Sequence, residues 1–370
     1  MARIESLEML LEEGGKDFLA EEYGKVIENV EKNTISTLLK NNDLSGSFSA
    51  GTIEAKRFVN AQSKDYGTAR SANAGEKVKV RPVTVAIDKD REIIEEIENK
   101  DISLYGVEGL VSRRTMNHQR SMIRELERAF FNEALEEGNE VTFTASTDAD
   151  KLEELIQLVE TTQNEFVDGV PRDMINIILS PSEYGKIRMY LDKASNSNIQ
   201  TNIAEFGEYH GVKVFSSTYL PTGCSHIAMV DGAIAEPILP TVANPERIQL
   251  SNAIGFGIFF SYGVKCVMPD LIYFAGSFST GLSDLTVNST SGTSGHTKIT
   301  VSPEKSKGTH YVYKIDTSVT MPSAYDSVAD WTAWDGTSEI AATSSKEIAI
   351  VESNRYNKAI HGGKATVQVG

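Results

Sequence analysis

Residues 110–138 read LVSRRTMNHQRSMIRELERAFFNEALEEG, and the fold is decided here. Leu110, Val111, Met122, Ile123, Leu126, Ala129, Phe130, Ala134 and Leu135 recur at helical spacing. They fall on one side of a helix that ends near Gly138. Arg113, Arg114, Arg120, Arg124, Glu125, Glu127 and Arg128 fill the rest of its circumference. At 1.5 Å per residue such a helix is about 40 Å long, enough for a strut across a subunit.

Upstream of the strut the pattern changes period. Val78, Val80, Val83, Val85 and Ile87 alternate with polar residues, as in a half-exposed strand. The phase slips at Arg81-Pro82, which implies a bulge or an edge position. Residues 53–59 supply an antiparallel partner, and a polar tip from Asn60 to Lys77 joins the two. The result is a long hairpin over residues 51–88 with few large apolar groups. A lone hairpin is marginal in water, so something must cover it, and another subunit is expected to do so. Residues 91–100 are expected to form a short helix. Residues 4–40 read as an N-terminal helix broken at Gly14-Gly15, with a loop from Asn41.

Downstream lies a compact α/β stretch. A short strand is expected at 141–143. Asp148 or Asp150 can cap a helix carrying Leu152, Leu155, Ile156, Val159 and Phe166. Met174 to Leu179 is a buried strand, and Pro181 opens another helix. Residues 211–215 and 226–230 are further strands, and 247–278 is apolar and strand-like. After Asp284 the composition shifts to Ser, Thr and Gly with little net charge. Short strand signals at 297–301, 311–315, 339–342, 347–351 and 365–369 predict a small all-β domain of sandwich or immunoglobulin-like type. Trp331 and Trp334 belong to its packing.

The chain has 370 residues and a net charge of −16, from 36 basic and 52 acidic side chains. That balance argues against a sequence-reading nucleic-acid binder and against an anionic membrane surface. The charged start does not read as a signal peptide, and the run Ile254–Phe260 is too short to span a bilayer. Two cysteines, Cys224 and Cys266, are too few for a disulfide framework. Cys224 beside His226, with His118 or His210, is a weak metal signal, and a buried thiol next to a surface histidine is the stronger reading. Gly292 to Lys298 lacks the spacing of a phosphate loop and reads as a hairpin turn. No nucleophile elbow, calcium loop or catalytic constellation is found, so no enzyme activity and no cofactor are expected.

The order of these parts resembles the Hong Kong 97-type α+β fold of tailed-bacteriophage major capsid proteins. Local segments agree: residues 177–184, 206–217 and 220–231 resemble successive segments of the family's A-domain. The resemblance implies an N-arm at 1–50, an E-loop hairpin at 51–88, a P-domain with its spine helix at 89–140, an A-domain at 141–246, returning P-domain strands at 247–284 and an appended β-domain at 285–370. It implies a structural protein of the virion, made in the host cytoplasm, that assembles as pentamers and hexamers around double-stranded DNA without reading its sequence. A separate scaffolding protein and a portal are the implied partners, with no membrane. Lys56, Arg57, Lys64, Arg70, Lys77, Lys79 and Arg81 stand out in so acidic a chain and are expected to meet carboxylates of an adjacent subunit. The acidic balance also implies a wall that repels DNA. Two other readings are an encapsulin-like nanocompartment shell and a surface-binding protein acting through its β-domain.

Overall fold

The structure, a computed structural model, describes residues 7–47, 51–61, 63, 65–67, 77–103, 105–193, 207–278, 281–306, 309–354 and 357–370. It divides into two compact units: residues 1–134, 143–221 and 227–273, and residues 135–142, 222–226 and 274–370. The second unit thus takes in more than the composition change at Asp284 marks.

In the first unit a 3-10 turn, Leu7–Leu11, leads into α1, Glu13–Asn33. The expected break at Gly14-Gly15 falls earlier, at Glu12. The turn folds back on the helix start so closely that a Cβ at Gly15 would lie 2.1 Å from Met9 O. Thr34 then caps the short α2, Ile35–Leu39, accepting a hydrogen bond from Thr37 N at 3.2 Å.

Strands β1 (Leu44–Ser47), β2 (Thr52–Phe58) and β3 (Val80–Ala86) form one antiparallel sheet in that order. Register runs unbroken from Thr52↔Ala86 to Phe58↔Val80. Pro82, opposite Lys56, therefore marks an edge strand and not a bulge.

Residues 91–100 are not helical. They lie mostly in β4, Lys89–Ile97, which pairs along its whole length with a later strand, Ile254–Tyr262. Ile93 and Ile97 alternate with the outward Glu92, Ile94 and Glu96, and strand pairing over nine residues outweighs the helix preference of the glutamates.

The strut is α3, Gly106–Glu137: 32 residues, about 48 Å. Thr147, not an aspartate, caps α4, Asp148–Glu160, leaving Asp148 and Asp150 in the first turn near the positive end of the helix dipole. Phe166 falls beyond that helix. Strand β5, Ile175–Leu179, is buried at every residue. After α5, Pro181–Lys193, the chain forms β6, Val212–Ser216, which runs parallel to β5. Strand β7, Cys224–Val230, lies on the other side of β5. Strands β8, Ile238–Val242, and β9, Ile254–Tyr262, complete the sheet with β4, β9 lying centrally. Gly257 is required there, since a Cβ would lie 2.2 Å from Ile93 O.

The inner face of this sheet (Phe256, Ile258, Phe260, Ile97) packs with Leu19, Tyr23, Val26 and Val30 of α1 and with Val107, Val111, Met122 and Leu126 of α3 in one core. Strand β10, Ile272–Gly276, follows, and the boundary between the units falls within β7 and β10.

The second unit contains two antiparallel sheets. Strands β11 (Thr286–Ser291) and β12 (His296–Ser302) pair in one, with Ile340–Ala341 beside β12. Residues 292–295 are thus a hairpin turn. The other sheet has the order β14 (Thr332–Trp334), β13 (His310–Asp316), β15 (Glu347–Ser353), β16 (Ala359–Thr366). Leu285, Val287, Ile299, Tyr311, Trp334, Ile340, Ile348 and Ile350 from both sheets share a core, while Trp331 packs on a second cluster around Val312, Val328 and Val351. The strand expected at 141–143 is shorter and earlier, Asn139–Glu140.

The last turn of α3 belongs to this unit. Lys358 Nζ donates to Gly138 O at 2.5 Å and to Leu135 O at 3.5 Å, so a cation closes the helix's free carbonyls. The same amine lies 5.0 Å from the Phe274 ring, and burial pulls its pKa down.

Candidate assembly surface

Alternation sorts the hairpin side chains. Ile53, Ala55 and Arg57 of β2 point inward and are buried; Thr52, Glu54, Lys56 and Phe58 point outward. Ile53 and Ala55 are apolar anchors, with Ala55 packing on Val85, Ala235 and Val267. Arg57 is held within the chain: it donates to both carboxylate oxygens of Asp270, at 2.5 and 2.8 Å, and lies 4.1 Å from the Phe166 ring centre. Asn164 adds a further bond to Asp270. Burial alone would push the Asp270 carboxyl up; Arg57 and Asn164 outweigh it and hold it below the ordinary carboxylate range. Arg81, paired in register with Arg57, shares this side. It binds Glu165 at 2.5 Å and approaches the same phenyl ring.

Of the seven cations singled out in the sequence, then, Arg57 and Arg81 are engaged internally. Lys56, Lys77 and Lys79 are exposed and form no ion pair among the described residues. Lys64 and Arg70 lie outside the described residues. Next to Lys56 the hairpin exposes an apolar pair that sequence reading missed: Phe58, 53 % exposed, opposite Val80. Period-two spacing puts Phe58 on the face of Lys56; only the register brings Val80 beside it.

The sheet β8-β9-β4 has a second such face. Asp90, Glu92, Ile94 and Glu96 alternate outward along β4, and all are exposed. Glu92 is opposite Phe259 and Ile94 opposite Gly257, so Phe259 stands on the same face. Leu239, opposite Ser261, joins it from β8. Three carboxylates thus surround three exposed apolar residues: Ile94, Leu239 and Phe259.

Buried polar groups tie the arm to the strut. Tyr23 of α1 bonds His118 Nδ1 of α3 at 2.8 Å, and His118 stacks between Tyr23 and Phe256. His118 Nε2 lies 3.2 Å from Glu95 of β4, which Arg114 grips with two nitrogens. Desolvation lowers the His118 pKa against the pull of Glu95. Further along α3, Glu127 accepts from Ile35 N and Ser36 N at the start of α2. Ser36 also lies beside Glu236, a fully buried carboxyl, and burial outweighs Ser36 and pushes Glu236 up to about 8. Glu127 is raised as well, by desolvation.

Helical arm, hairpin, long helix, α/β stretch and returning strand follow one another along the chain. No family model matches the sequence, and no curated protein does. Solved structures similar to this one include one of Mycobacterium phage Che8, at 16% identity and TM-score 0.48, covering 64% of this chain and 93% of that one. The capsid structure of cyanophage P-SCSP1u is similar at 13% identity and TM-score 0.48, covering 66% and 88%. The virus-like particle from Pyrococcus furiosus is similar at 10% identity and TM-score 0.44, covering 69% and 98%.

The weak metal signal does not gather. Cys224 and His226 are both buried, so His226 is not the surface residue expected, and burial pushes the Cys224 thiol up to about 12. Among the described residues no three His, Cys, Asp or Glu side chains are grouped to hold a metal ion, and no helix is long and apolar enough to cross a membrane.

Proposed function

We propose that this chain is the major shell subunit of a tailed-bacteriophage head, a structural and non-catalytic protein that self-assembles into an icosahedral container for double-stranded DNA. The supporting observation is the match between its two exposed faces. The hairpin offers the cation Lys56 beside Phe58 and Val80, with exposed Lys77 and Lys79 just before β3 in the chain. The sheet offers Asp90, Glu92 and Glu96 around Ile94, Leu239 and Phe259. On this reading the hairpin of one subunit lies across the sheet of the next. A head-to-tail contact of this kind closes into rings when its rotation closes, which gives pentamers and hexamers. Exposed ion pairs contribute about 0–1 kcal/mol each, so charge sets register while apolar and backbone contacts supply adhesion. A scaffolding protein and a portal would complete the head, and the virion is the location.

The test is negative-stain electron microscopy of the purified chain, with light scattering beside it. Closed shells, or rings of five and six subunits, are expected. Deletion of residues 60–77 should abolish them and leave a folded subunit. A chain that stays monomeric even with its scaffolding partner would refute the reading. Nuclease-resistant DNA in particles from infected cells separates a phage head from a cargo-holding compartment.

A further inference from the structure

The strut helix exposes a feature that the hairpin contact does not use. Arg113, Arg120, Arg124 and Arg128 of α3 are all exposed. Steps of seven, four and four residues keep them within roughly 80° of arc, over about 22 Å of helix. The other exposed residues between 113 and 132 are Met116, Asn117 and Asn132, so this face carries no carboxylate. The helix's own acids turn elsewhere. Glu125 accepts from Arg91 and Tyr262, Glu127 from the start of α2, and Glu133 from Cys266 N. None of the four guanidinium groups forms an ion pair among the described residues, and Arg113 is steadied by the Tyr105 ring at 4.2 Å.

An unneutralised row of like charges at i, i+4 works against the helix that carries it. In a chain of net charge −16, such a row calls for a polyanion. We propose that the stripe Arg113–Arg120–Arg124–Arg128 docks on the phosphodiester backbone of double-stranded DNA without reading its sequence. Its residue types favour phosphate. Arginine forks bind phosphate oxygens bidentately, and the flanking asparagines add neutral donors. Contacts of this kind position a duplex and carry no base information. A protein partner fits less well, since a protein interface needs an apolar centre and Met116 alone offers one. The acidity of the chain is therefore not uniform, and on this proposal the strut departs from a surface that only repels DNA. The proposal relies on the shell reading for where the DNA comes from, and on the geometry of the stripe for the contact itself.

The experiment measures fluorescence anisotropy of a labelled duplex of about 30 base pairs, titrated with the full chain and with the R120Q/R124Q/R128Q variant. Thermal melts confirm that both are folded, and electron microscopy scores shells in the same preparations. Four phosphate contacts give a log–log salt slope of about −3.6, a loss of roughly 150-fold between 50 and 200 mM salt. One remaining contact gives a slope of about −0.9 and a loss of roughly 3.5-fold. Shells from both proteins together with this difference in slope support the proposal. Absence of binding by the unaltered chain, or equal slopes, overturns it. Loss of shells in the variant with DNA binding unchanged assigns the stripe to a neighbouring subunit, which also overturns it. A difference in slope where neither protein forms shells leaves the stripe standing and defeats the shell reading.

Discussion

Substituting Arg57 by methionine tests which side of the hairpin faces the chain's own core. The Arg57 side chain is 10% exposed and its partner Asp270 28%. Methionine keeps most of the apolar stem and removes the two bonds to Asp270. Breaking a buried ion pair from one side costs about 3–5 kcal/mol, because the other charge stays behind unpaired. The residual exposure of Asp270 and its bond to Asn164 place this case at the low end. Loss of the arginine over the Phe166 ring adds about 0.5–1 kcal/mol. The expected total is therefore about 3.5–4 kcal/mol, read as a fall in the urea midpoint of the dissociated subunit at neutral pH. Combining it with Asp270→Asn should recover about 2 kcal/mol as a coupling energy.

The pH dependence carries a sign of its own. The folded-state pKa of Asp270 is depressed, so the pair's contribution is full above the ordinary carboxylate range and is lost as pH falls through the lowered value. Arg57→Met should remove that acid sensitivity. An unchanged urea midpoint together with loss of shells would refute the reasoning, since Arg57 would then belong to an interface between subunits.

Three further outcomes are expected. Phe58→Ser and Ile94→Ser, at exposed positions, should leave subunit stability within about 0.5 kcal/mol yet slow or prevent assembly, as light scattering would record. Glu236→Gln should stabilise the subunit. Because the folded-state pKa is raised, ionisation works against the fold increasingly from the ordinary carboxylate range up to about 8, so the gain in urea midpoint should be small near pH 4.5 and grow toward pH 8. Truncation after Asp284 should give insoluble or unfolded protein, because Phe274 loses Tyr325 and the end of α3 loses Lys358; sedimentation and circular dichroism would check it.

Elements with a strong period were legible in the sequence. The strut needed only the apolar stripe from Leu110 to Leu135, and the hairpin needed only the alternation of valines through Ile87. Where the sequence misled, two physical effects competed. Residues 91–97 hold glutamates that favour helix and isoleucines at 93, 94 and 97 that suit either structure. The long partner strand Ile254–Tyr262 settled the matter, and it lies some 160 residues away. The tail looked separable because its Ser- and Thr-rich composition changes abruptly. Lys358 and Phe274 bind that composition to earlier chain, and such pairings follow from tertiary contact alone. The candidate interface was half legible. The cations were visible, but inward and outward alternate residue by residue, so sorting Arg57 from Lys56 required knowing which face is covered.

That sorting has a physical logic. A hairpin that must meet another subunit still needs a fixed shape before it does so. Inward, Arg57 and Arg81 straddle Phe166, and the largely buried Arg57–Asp270 pair sets the hairpin's angle, with the exposed Arg81–Glu165 pair adding little. Outward, Lys56, Phe58 and Val80 make contacts that are each weak and mostly unmet within one chain. Strong contacts inside and weak ones outside suit a particle built from many copies, where misplaced subunits must be able to leave. Were the pattern reversed, with buried ion pairs at the interface, early errors would be locked in. The same division appears on α3. Glu125, Glu127 and Glu133 close on the chain's own strands and arm, while Arg113, Arg120, Arg124 and Arg128 form no ion pair among the described residues, as the proposed contact with a polyanion requires.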